Sequence, residues 1–164
     1  MKPPVDVVLF AFDYDGVFTD GRIWLLPGGI EARSAHIRDG YAVVRAIEAG
    51  LHIAVISGGK DEEVRLRLQR LGVQAVHLGV KDKAAVLDQV RSASGLSWSQ
   101  VAYFGDDLPD VPAVRLAGWS ACPSDAVAEI KESVCVVGKS AGGAGFVREV
   151  LEAALQARGI WQAG

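Results

Sequence analysis

The sequence predicts an α/β fold in which a doubly wound parallel sheet is covered by helices on both faces. Apolar runs at 7–12, 51–56, 75–78 and 101–104 are continuous rather than alternating. Such runs are typical of strands that are buried on both faces of a parallel sheet. Helical patterns of apolar residues lie between the runs, and strands that alternate with helices indicate βαβ units with right-handed crossovers.

The remaining elements follow from the same kinds of pattern. Helices are predicted at 42–49, 61–71, 83–93 and 146–155, where apolar residues recur at helical spacing. In the second of these, Gly72 follows the last apolar position as a C-cap. Shorter strands are predicted at 119–121 and 134–137.

One segment after the first strand departs from the alternation. Residues 22–37 contain an apolar stretch, the pair Pro27-Gly28 and a second arm. Because Pro-Gly suits the centre of a type II turn, the segment is predicted as a β-hairpin that projects from the sheet. No insertion is long enough for a separate cap domain, so residues 1–164 are predicted as one domain with a C-terminal tail at about 156–164.

Charge and hydropathy narrow the classes of function. The formal net charge is −3 and no run of basic residues is present, so no nucleic-acid partner is predicted. No apolar run approaches the roughly 20 residues that span a bilayer, and the N-terminus has no signal-peptide pattern. The protein is therefore expected to be soluble and cytoplasmic, with no membrane partner.

Polar segments follow the four main strands at the points where the chain leaves the sheet. They are Asp13–Gly16 (D-Y-D-G), Ser57–Lys60 (S-G-G-K), Gly79–Lys83 (G-V-K-D-K) and Gly105–Asp110 (G-D-D-L-P-D). Each segment alone is also compatible with an ordinary turn or helix cap. Because the carboxyl ends of parallel strands share one edge, the four segments are expected to meet in one cleft. They combine carboxylates with a hydroxyl, backbone N–H groups and an ammonium, which suit a cation and a phosphate.

The order of these four motifs resembles that of the haloacid dehalogenase superfamily. Within it, the chain resembles the small capless branch of 3-deoxy-D-manno-octulosonate 8-phosphate phosphatases and nonulosonate 9-phosphate phosphatases. The finer resemblance rests on Asp13–Gly21, Arg38–Tyr41, Gly105–Asp110 and Gly142–Glu149, which are spread over nearly the whole chain. It implies a Rossmann-like fold without a cap and an Mg²⁺-dependent phosphatase of a small phosphorylated substrate. The octulosonate 8-phosphate is the first candidate, and a nonulosonate 9-phosphate or another sugar phosphate is the alternative.

The resemblance also assigns the central chemical roles. It makes Asp13 the nucleophile that becomes phosphorylated, and it makes Asp15 the general acid and base. The implied Mg²⁺ ligands are the Asp13 carboxylate, the Asp15 backbone carbonyl and Asp106. Oxygen ligands of this kind are those that Mg²⁺ prefers.

Five further residues receive supporting roles from the resemblance. Ser57 and the backbone of Gly58 are expected to bind the phosphoryl oxygens. Lys83 is expected to bridge the phosphate and the nucleophile. Asp107 and Asp110 are expected to lie beside the metal, where they hold its waters or the lysine.

Two positions depart from the family pattern. Octulosonate-type enzymes usually have Arg, and nonulosonate types Glu, where this chain has Gly59, and the usual G-G-R-G or G-G-K-G segment contains Ala144 here. A basic residue that would meet a substrate carboxylate is therefore missing. Either Arg38, Arg67 or Arg70 takes its place, or the substrate is not a 2-keto-3-deoxy acid.

The resemblance further implies a homotetramer whose hairpins form a barrel-like core. The hairpin and tail of one subunit would then cover the active site of its neighbour. The apolar residues Trp24–Leu26 and Ile30 agree with a buried interface, and the alternative is that the hairpin folds onto its own domain. Residues 160–161 of the tail either pack against a neighbour or fray.

Three other functions fit the sequence less well than the phosphatase. Response-regulator receiver domains combine similar groups, but their phosphorylated Asp follows the third strand, whereas here Ser57 precedes Lys83 and a G-D-D motif follows the fourth strand. A catalytically silent scaffold is disfavoured because the expected catalytic residues are present. A phosphomutase needs a closing cap that excludes water, and the sequence has no such insertion.

Overall fold

The predicted doubly wound sheet is confirmed by the computed structural model, which describes residues 1–161. Its strands are β1 (Leu9–Phe12), β2 (Trp24–Leu26), β3 (Ile30–Ala32), β4 (His52–Ile56), β5 (Ala75–His77), β6 (Val101–Phe104), β7 (Trp119–Cys122) and β8 (Val136–Val137). Six of them form a parallel sheet in the order β5-β4-β1-β6-β7-β8, and β2 and β3 form a separate antiparallel pair.

Helices cover both faces of this sheet. They are α1 (Ile37–Glu48), α2 (Glu62–Arg70), α3 (Lys83–Ala93), α4 (Val111–Leu116), α5 (Ala128–Ser133) and α6 (Phe146–Ala157). Residues of α1, α2 and α6 pack into the hydrophobic core on one face, and those of α3, α4 and α5 pack on the other. The sequence did not predict α4 and α5, because each has only six residues and too short a periodic pattern to recognise.

Helix α1 begins earlier than the sequence predicts. It starts at Ile37, inside the segment predicted as the second arm of the hairpin. Its first turn contains the buried carboxylate of Asp39, which accepts the backbone N–H of Arg148 at the start of α6 (2.8 Å). A Cβ atom at Gly40 would lie 3.3 Å from the side chain of Leu71, so the glycine lets α2 approach closely. The Asp39-Gly40 pair therefore serves helix packing.

The topology places one crevice at the centre of the sheet. Strand β1 pairs with β4 on one side and β6 on the other, and the strand order reverses between β1 and β6. The backbone N–H of Asp13 donates to the carbonyl of Phe104 (2.8 Å), so the chain that leaves β1 stays beside the end of β6. In open α/β sheets, ligands bind at such a switch point, outside the carboxyl ends of the strands.

The predicted hairpin is present and projects from the domain. Leu26 pairs with Ile30 across the turn. Trp24 is 62% exposed, Leu25 77% and Ile30 59%, so in this chain the hairpin does not fold onto its own domain.

The described part of the tail turns back onto its own helices. The backbone N–H groups of Ile160 and Trp161 donate to the carbonyl of Leu155, and the Trp161 ring lies 4.3 Å from the guanidinium carbon of Arg148. Residues 162–164 of the predicted tail lie outside the described residues. Cover of a neighbouring site by the tail stays a prediction. Within residues 1–161, every helix is too short or too polar to cross a bilayer.

Candidate active site

A cleft of about 540 Å³ opens where β1 and β6 end. It brings together most of the residues that the sequence assigned to the site: Asp13, Asp15, Ser57, Gly58, Lys83, Asp106, Asp107 and Asp110. A second cavity, of about 350 Å³, lies around Leu51 and His52 at the opposite end of the sheet, and no Asp, Glu, Lys or Arg lines it. Carboxylates and ammonium groups therefore line the first of these two cavities and not the second.

Asp13 is the first residue after β1, and it is only 7% exposed. Its Oδ1 accepts the backbone N–H of Tyr14 (2.7 Å), and its Oδ2 lies 2.9 Å from Nζ of Lys83. Burial and the nearby Asp110 raise the pKa of Asp13 to about 7, although Lys83 opposes the rise. One carboxylate oxygen is thus fixed by the backbone and the other faces a cation.

Asp110 organises the loop that follows β6. It is fully buried, and its Oδ1 accepts hydrogen bonds from Nζ of Lys83 (2.7 Å) and from the hydroxyl of Tyr103 (2.8 Å). Its Oδ2 accepts the backbone N–H groups of Asp106 and Asp107 (3.2 and 3.4 Å). Asp110 therefore holds Lys83 in place and closes the loop at the same time.

Tyr103 is a residue of the site that the sequence did not reveal, because it lies within an apolar strand run. Burial and the charge of Asp110 keep the pKa of Tyr103 well above its usual range. The hydroxyl therefore stays protonated as a donor to Asp110. Burial alone would lower the pKa of Lys83, but the carboxylates of Asp13 and Asp110 raise it. Lys83 is therefore a permanent cation of the site.

The donor set fits a hard divalent cation. Carboxylate oxygens of Asp13, Asp106 and Asp110 lie within 4.8 Å of one another. Burial, followed by the charge of Asp110, raises the pKa of Asp106 to about 7. A Cβ atom at Gly16, whose φ is +79°, would lie 2.0 Å from Oδ2 of Asp106, so only glycine lets the backbone reach this carboxylate. Oxygen donors at this spacing suit Mg²⁺.

The turn after β4 forms the opposite wall of the cleft. Ser57 is 3% exposed, and its Oγ accepts the backbone N–H of Gly59 (3.2 Å). The carbonyls of Ser57 and Gly59 accept backbone N–H groups from Val80 (3.0 Å) and Gly79 (2.7 Å), so the turns after β4 and β5 are bonded together. A hydroxyl and exposed backbone at Gly58 thus face the carboxylates across the cleft.

Arg33 is the second residue that the sequence did not reveal. It lies one residue beyond β3, and its side chain is 10% exposed. Its Nε lies 2.8 Å from Oδ1 of Asp15, and its other nitrogens lie 3.3 Å from carboxylate oxygens of Asp61 and Glu31. The sequence feature that could have pointed to Arg33 is its place as a basic residue on the second arm of a hairpin that was predicted beside an acidic cleft.

The three arginines that the sequence offered as alternatives for binding a substrate carboxylate do not line the cleft. Arg38 and Arg70 are exposed. The guanidinium of Arg67 lies 3.4 Å from the position of a Cβ atom at Gly40, so it packs between α2 and α1. Their role in specificity stays a prediction.

Comparisons with known proteins agree with this geometry. No protein-family model matches the chain. The 3-deoxy-D-manno-octulosonate 8-phosphate phosphatase KdsC of Haemophilus influenzae is 35% identical over 160 residues, which cover 97% of this chain and 89% of that protein. The crystal structure of the same kind of phosphatase from Yersinia pestis has a TM-score of 0.93 at 31% identity, and the match covers 95% of this chain and 84% of that one.

A further relative was crystallised with ligands. The 3-deoxy-D-manno-octulosonate 8-phosphate phosphatase of Moraxella catarrhalis, in complex with a magnesium ion, a phosphate ion and a KDO molecule, has a TM-score of 0.90 at 33% identity. The match covers 93% of this chain and 87% of that one.

Proposed function

The chain belongs to the family of 3-deoxy-D-manno-octulosonate 8-phosphate phosphatases, in subfamily IIIA of the haloacid dehalogenase superfamily, and from that premise we propose an Mg²⁺-dependent phosphatase of a sugar-acid phosphate. The observation that carries the proposal is the buried carboxylate of Asp13, paired with Lys83 and flanked by Asp106 and Asp110 at the switch point. The preferred substrate is 3-deoxy-D-manno-octulosonate 8-phosphate. A nonulosonate 9-phosphate or another sugar phosphate is the alternative, because Gly59 departs from both family patterns.

In the first step, the Asp13 carboxylate attacks phosphorus. A bond forms between a carboxylate oxygen and phosphorus while the bond between phosphorus and the leaving oxygen breaks, which gives an aspartyl-phosphate. The backbone N–H of Tyr14 holds Oδ1, and Lys83 lies against Oδ2. These contacts fix the carboxylate before the substrate arrives, which is the main contribution that phosphoryl transfer requires of a protein.

Asp15 moves the protons in both steps. It gives its proton to the leaving oxygen as the first bond breaks, and it then takes a proton from the water that attacks the aspartyl-phosphate. The second attack breaks the bond between phosphorus and Asp13, releases inorganic phosphate and restores both carboxyl groups. Asp15 lines the cleft two residues beyond the nucleophile, and its side chain is 37% exposed, so substrate and water reach it.

The phosphoryl group lies between two walls of opposite character. The hydroxyl of Ser57, the backbone N–H groups at Gly58 and the ammonium of Lys83 bind its oxygens. On the other wall, Asp13, the backbone carbonyl of Asp15 and Asp106 would hold Mg²⁺, which offsets the charge of the phosphate when it is bound. Asp107 and Asp110 stand beside this set.

The partner that we propose is a second copy of this chain, in a homotetramer built on the hairpins. The support is the apolar ribbon of Trp24–Leu26 and Ile30, which remains exposed on a single chain. Exposed apolar patches of this kind mark interaction surfaces. In the tetramer, the hairpin of one subunit would border the cleft of its neighbour.

The test is phosphate release from a panel of substrates with Mg²⁺. The panel contains octulosonate 8-phosphate, nonulosonate 9-phosphates, simple sugar phosphates and p-nitrophenyl phosphate. The wild type is compared with Asp13→Asn and with Asp88→Asn, which changes an exposed carboxylate on α3. Fast turnover of one keto-acid phosphate, its loss in Asp13→Asn and normal turnover in Asp88→Asn are expected. Normal turnover in Asp13→Asn would contradict the mechanism, and turnover of only simple phosphates would contradict the proposed substrate.

A further inference from the structure

The geometry points to Arg33 as a positioning residue, which orients the carboxyl group of Asp15 for proton transfer and connects that group to the hairpin. This inference rests on the proposed function. Arg33 lies 18 residues from Asp15 in the chain, and its side chain is nevertheless 10% exposed, with the guanidinium against the acid. Its other two nitrogens contact Asp61 and Glu31, so the planar guanidinium is itself held in place and presents Nε to Oδ1 of Asp15 in a fixed direction, which a flexible point charge would not do.

The contacts distinguish the two oxygens of Asp15. Oδ1 accepts from Nε of Arg33 (2.8 Å) and from the hydroxyl of Thr19 (3.5 Å). Within the described residues, Oδ2 accepts no hydrogen bond, and it faces Gly59 at the cleft, 3.4 Å from the position that a Cβ atom would occupy. Arg33 therefore turns the carboxyl group so that one oxygen is held and the other is left for the substrate and water.

Gly59 provides the space in which this arrangement fits. A Cβ atom there would meet Asp15 Oδ2 at 3.4 Å, the Ser57 hydroxyl at 3.5 Å and a terminal nitrogen of Arg33 at 3.9 Å. A longer side chain directed toward the hairpin would compete with the guanidinium for the same volume. Because residue 59 is glycine, the guanidinium of Arg33 can occupy this space from the hairpin.

The same guanidinium joins three parts of the fold. Its Nη1 pairs with Asp61, whose other carboxylate oxygen caps α2 by accepting the backbone N–H of Glu63 (3.0 Å). Among residues 1–161, no backbone–backbone hydrogen bond joins segment 22–35 to the rest of the chain, and the ion pairs that do so are those of Arg33. The position of the hairpin and the orientation of Asp15 are therefore coupled through one side chain.

The surroundings argue against direct capture of a substrate anion by Arg33. Three carboxylates, those of Asp15, Asp61 and Glu31, already engage its nitrogens. The local charge around the guanidinium is thus net negative, which does not favour a further anion. The role that remains is to hold the acid, and that role has a kinetic signature.

The experiment compares two leaving groups in Arg33→Met, Arg33→Lys and the control Arg22→Met, which changes an exposed arginine at the start of the same segment. A sugar phosphate releases an alkoxide that needs a proton, whereas p-nitrophenolate departs without one. General acid catalysis contributes about 10²–10⁴-fold, so we expect Arg33→Met to lower kcat/KM for the sugar phosphate about 10–100-fold. With p-nitrophenyl phosphate, kcat/KM is expected to fall less than about threefold, because kcat/KM reports the first step, in which this leaving group needs no proton.

Two further measurements separate positioning from folding. Arg33→Lys is expected to be intermediate, because an ammonium holds a single carboxylate without fixing its angle. Added guanidinium ion is expected to restore part of the sugar-phosphate activity of Arg33→Met, and thermal unfolding and circular dichroism check that each variant is folded.

The outcomes that overturn the proposal are distinct. Equal losses of kcat/KM on both substrates, without rescue, would show that Arg33 has only a structural role. A rise in KM without a fall in kcat would show that Arg33 binds the substrate instead. Unchanged kinetics in Arg33→Met would exclude any role in turnover. If the wild type hydrolyses neither substrate while it is folded, the proposed function fails, and the positioning role fails with it.

Discussion

The cleft buries charged side chains, whereas the hairpin exposes apolar ones. Both regions depart from the usual distribution, in which apolar side chains are buried and charged ones face water. In the cleft, Asp13, Lys83 and Asp110 are charged and no more than 7% exposed. On the hairpin, Trp24 and Leu25 are apolar and more than half exposed. Charged groups are rarely buried unless they are paired, and contiguous apolar ribbons are rarely left in water.

This difference in polarity indicates what each region lacks in a single chain. The cleft holds three close carboxylates and one buried ammonium, so it has an excess of negative charge that a cation would offset. The hairpin has surplus apolar surface, which only another macromolecular surface would cover. In the function proposed above, a cation completes the first region and a second copy of the chain completes the other.

The largest expected effect comes from removing the buried cation of the cleft. Lys83→Met leaves Asp13 and Asp110 without their ion pair, and breaking a buried pair costs about 3–5 kcal/mol of unfolding free energy. We expect phosphatase activity to fall at least about 100-fold, because the carboxylate also loses its alignment. The control Lys139→Met changes an exposed lysine. Urea unfolding and kcat together make the test, and unaltered stability in Lys83→Met would show that the cluster is not held by this ammonium.

A smaller effect is expected when the hairpin is made polar. The double substitution Trp24→Ser and Leu25→Ser removes much of the exposed apolar ribbon without touching the sheet. The mass measured by light scattering is expected to fall from that of an oligomer to that of a monomer, with the fold intact by circular dichroism. Gln69→Ser, an exposed change on α2, is the matched control. An unchanged oligomer in the double variant would locate the interface elsewhere.

The smallest expected effect concerns the cation. Because the pKa values of Asp13 and Asp106 are raised from 3.8 to about 7, the folded chain keeps protons that the unfolded chain releases. Without a divalent ion, stability is therefore expected to fall as the pH rises from about 4 to about 7. Mg²⁺ is expected to restore it, with a gain in Tm of about 5 °C near pH 8 and little gain near pH 5. Sodium chloride at equal ionic strength is the control, and an equal gain at both pH values would argue against carboxylate binding.

The sequence predicted the sheet and the edge where its polar groups meet. This succeeded because the four main strands are continuous apolar runs, and a chemically distinct segment follows each of them directly. In a parallel sheet, that order along the chain translates into proximity at one edge.

The sequence did not predict the groups that reach the site from elsewhere. Tyr103 lies in an apolar run, and nothing local shows that its hydroxyl faces the buried carboxylate of Asp110. Arg33 reaches Asp15 only because of the direction in which the hairpin projects. The sequence predicts the hairpin but not this direction. The early start of α1 depends on contacts of Asp39 and Gly40 with helices distant in the chain. Long-range packing decided each of these cases.

The glycines of the cleft determine how the site can be diversified by directed evolution. Gly16 and Gly105 lie against the carboxylates of Asp106 and Asp110, where an added Cβ atom would approach to 2.0 and 2.3 Å, so a library at either position would yield misfolded or inactive clones. At Gly59 the nearest atom to an added Cβ is at 3.4 Å, and the backbone does not have a positive φ. Small side chains at residue 59, with Arg33 and the carboxylate wall left unaltered, are therefore the most accessible route to new substrate preferences.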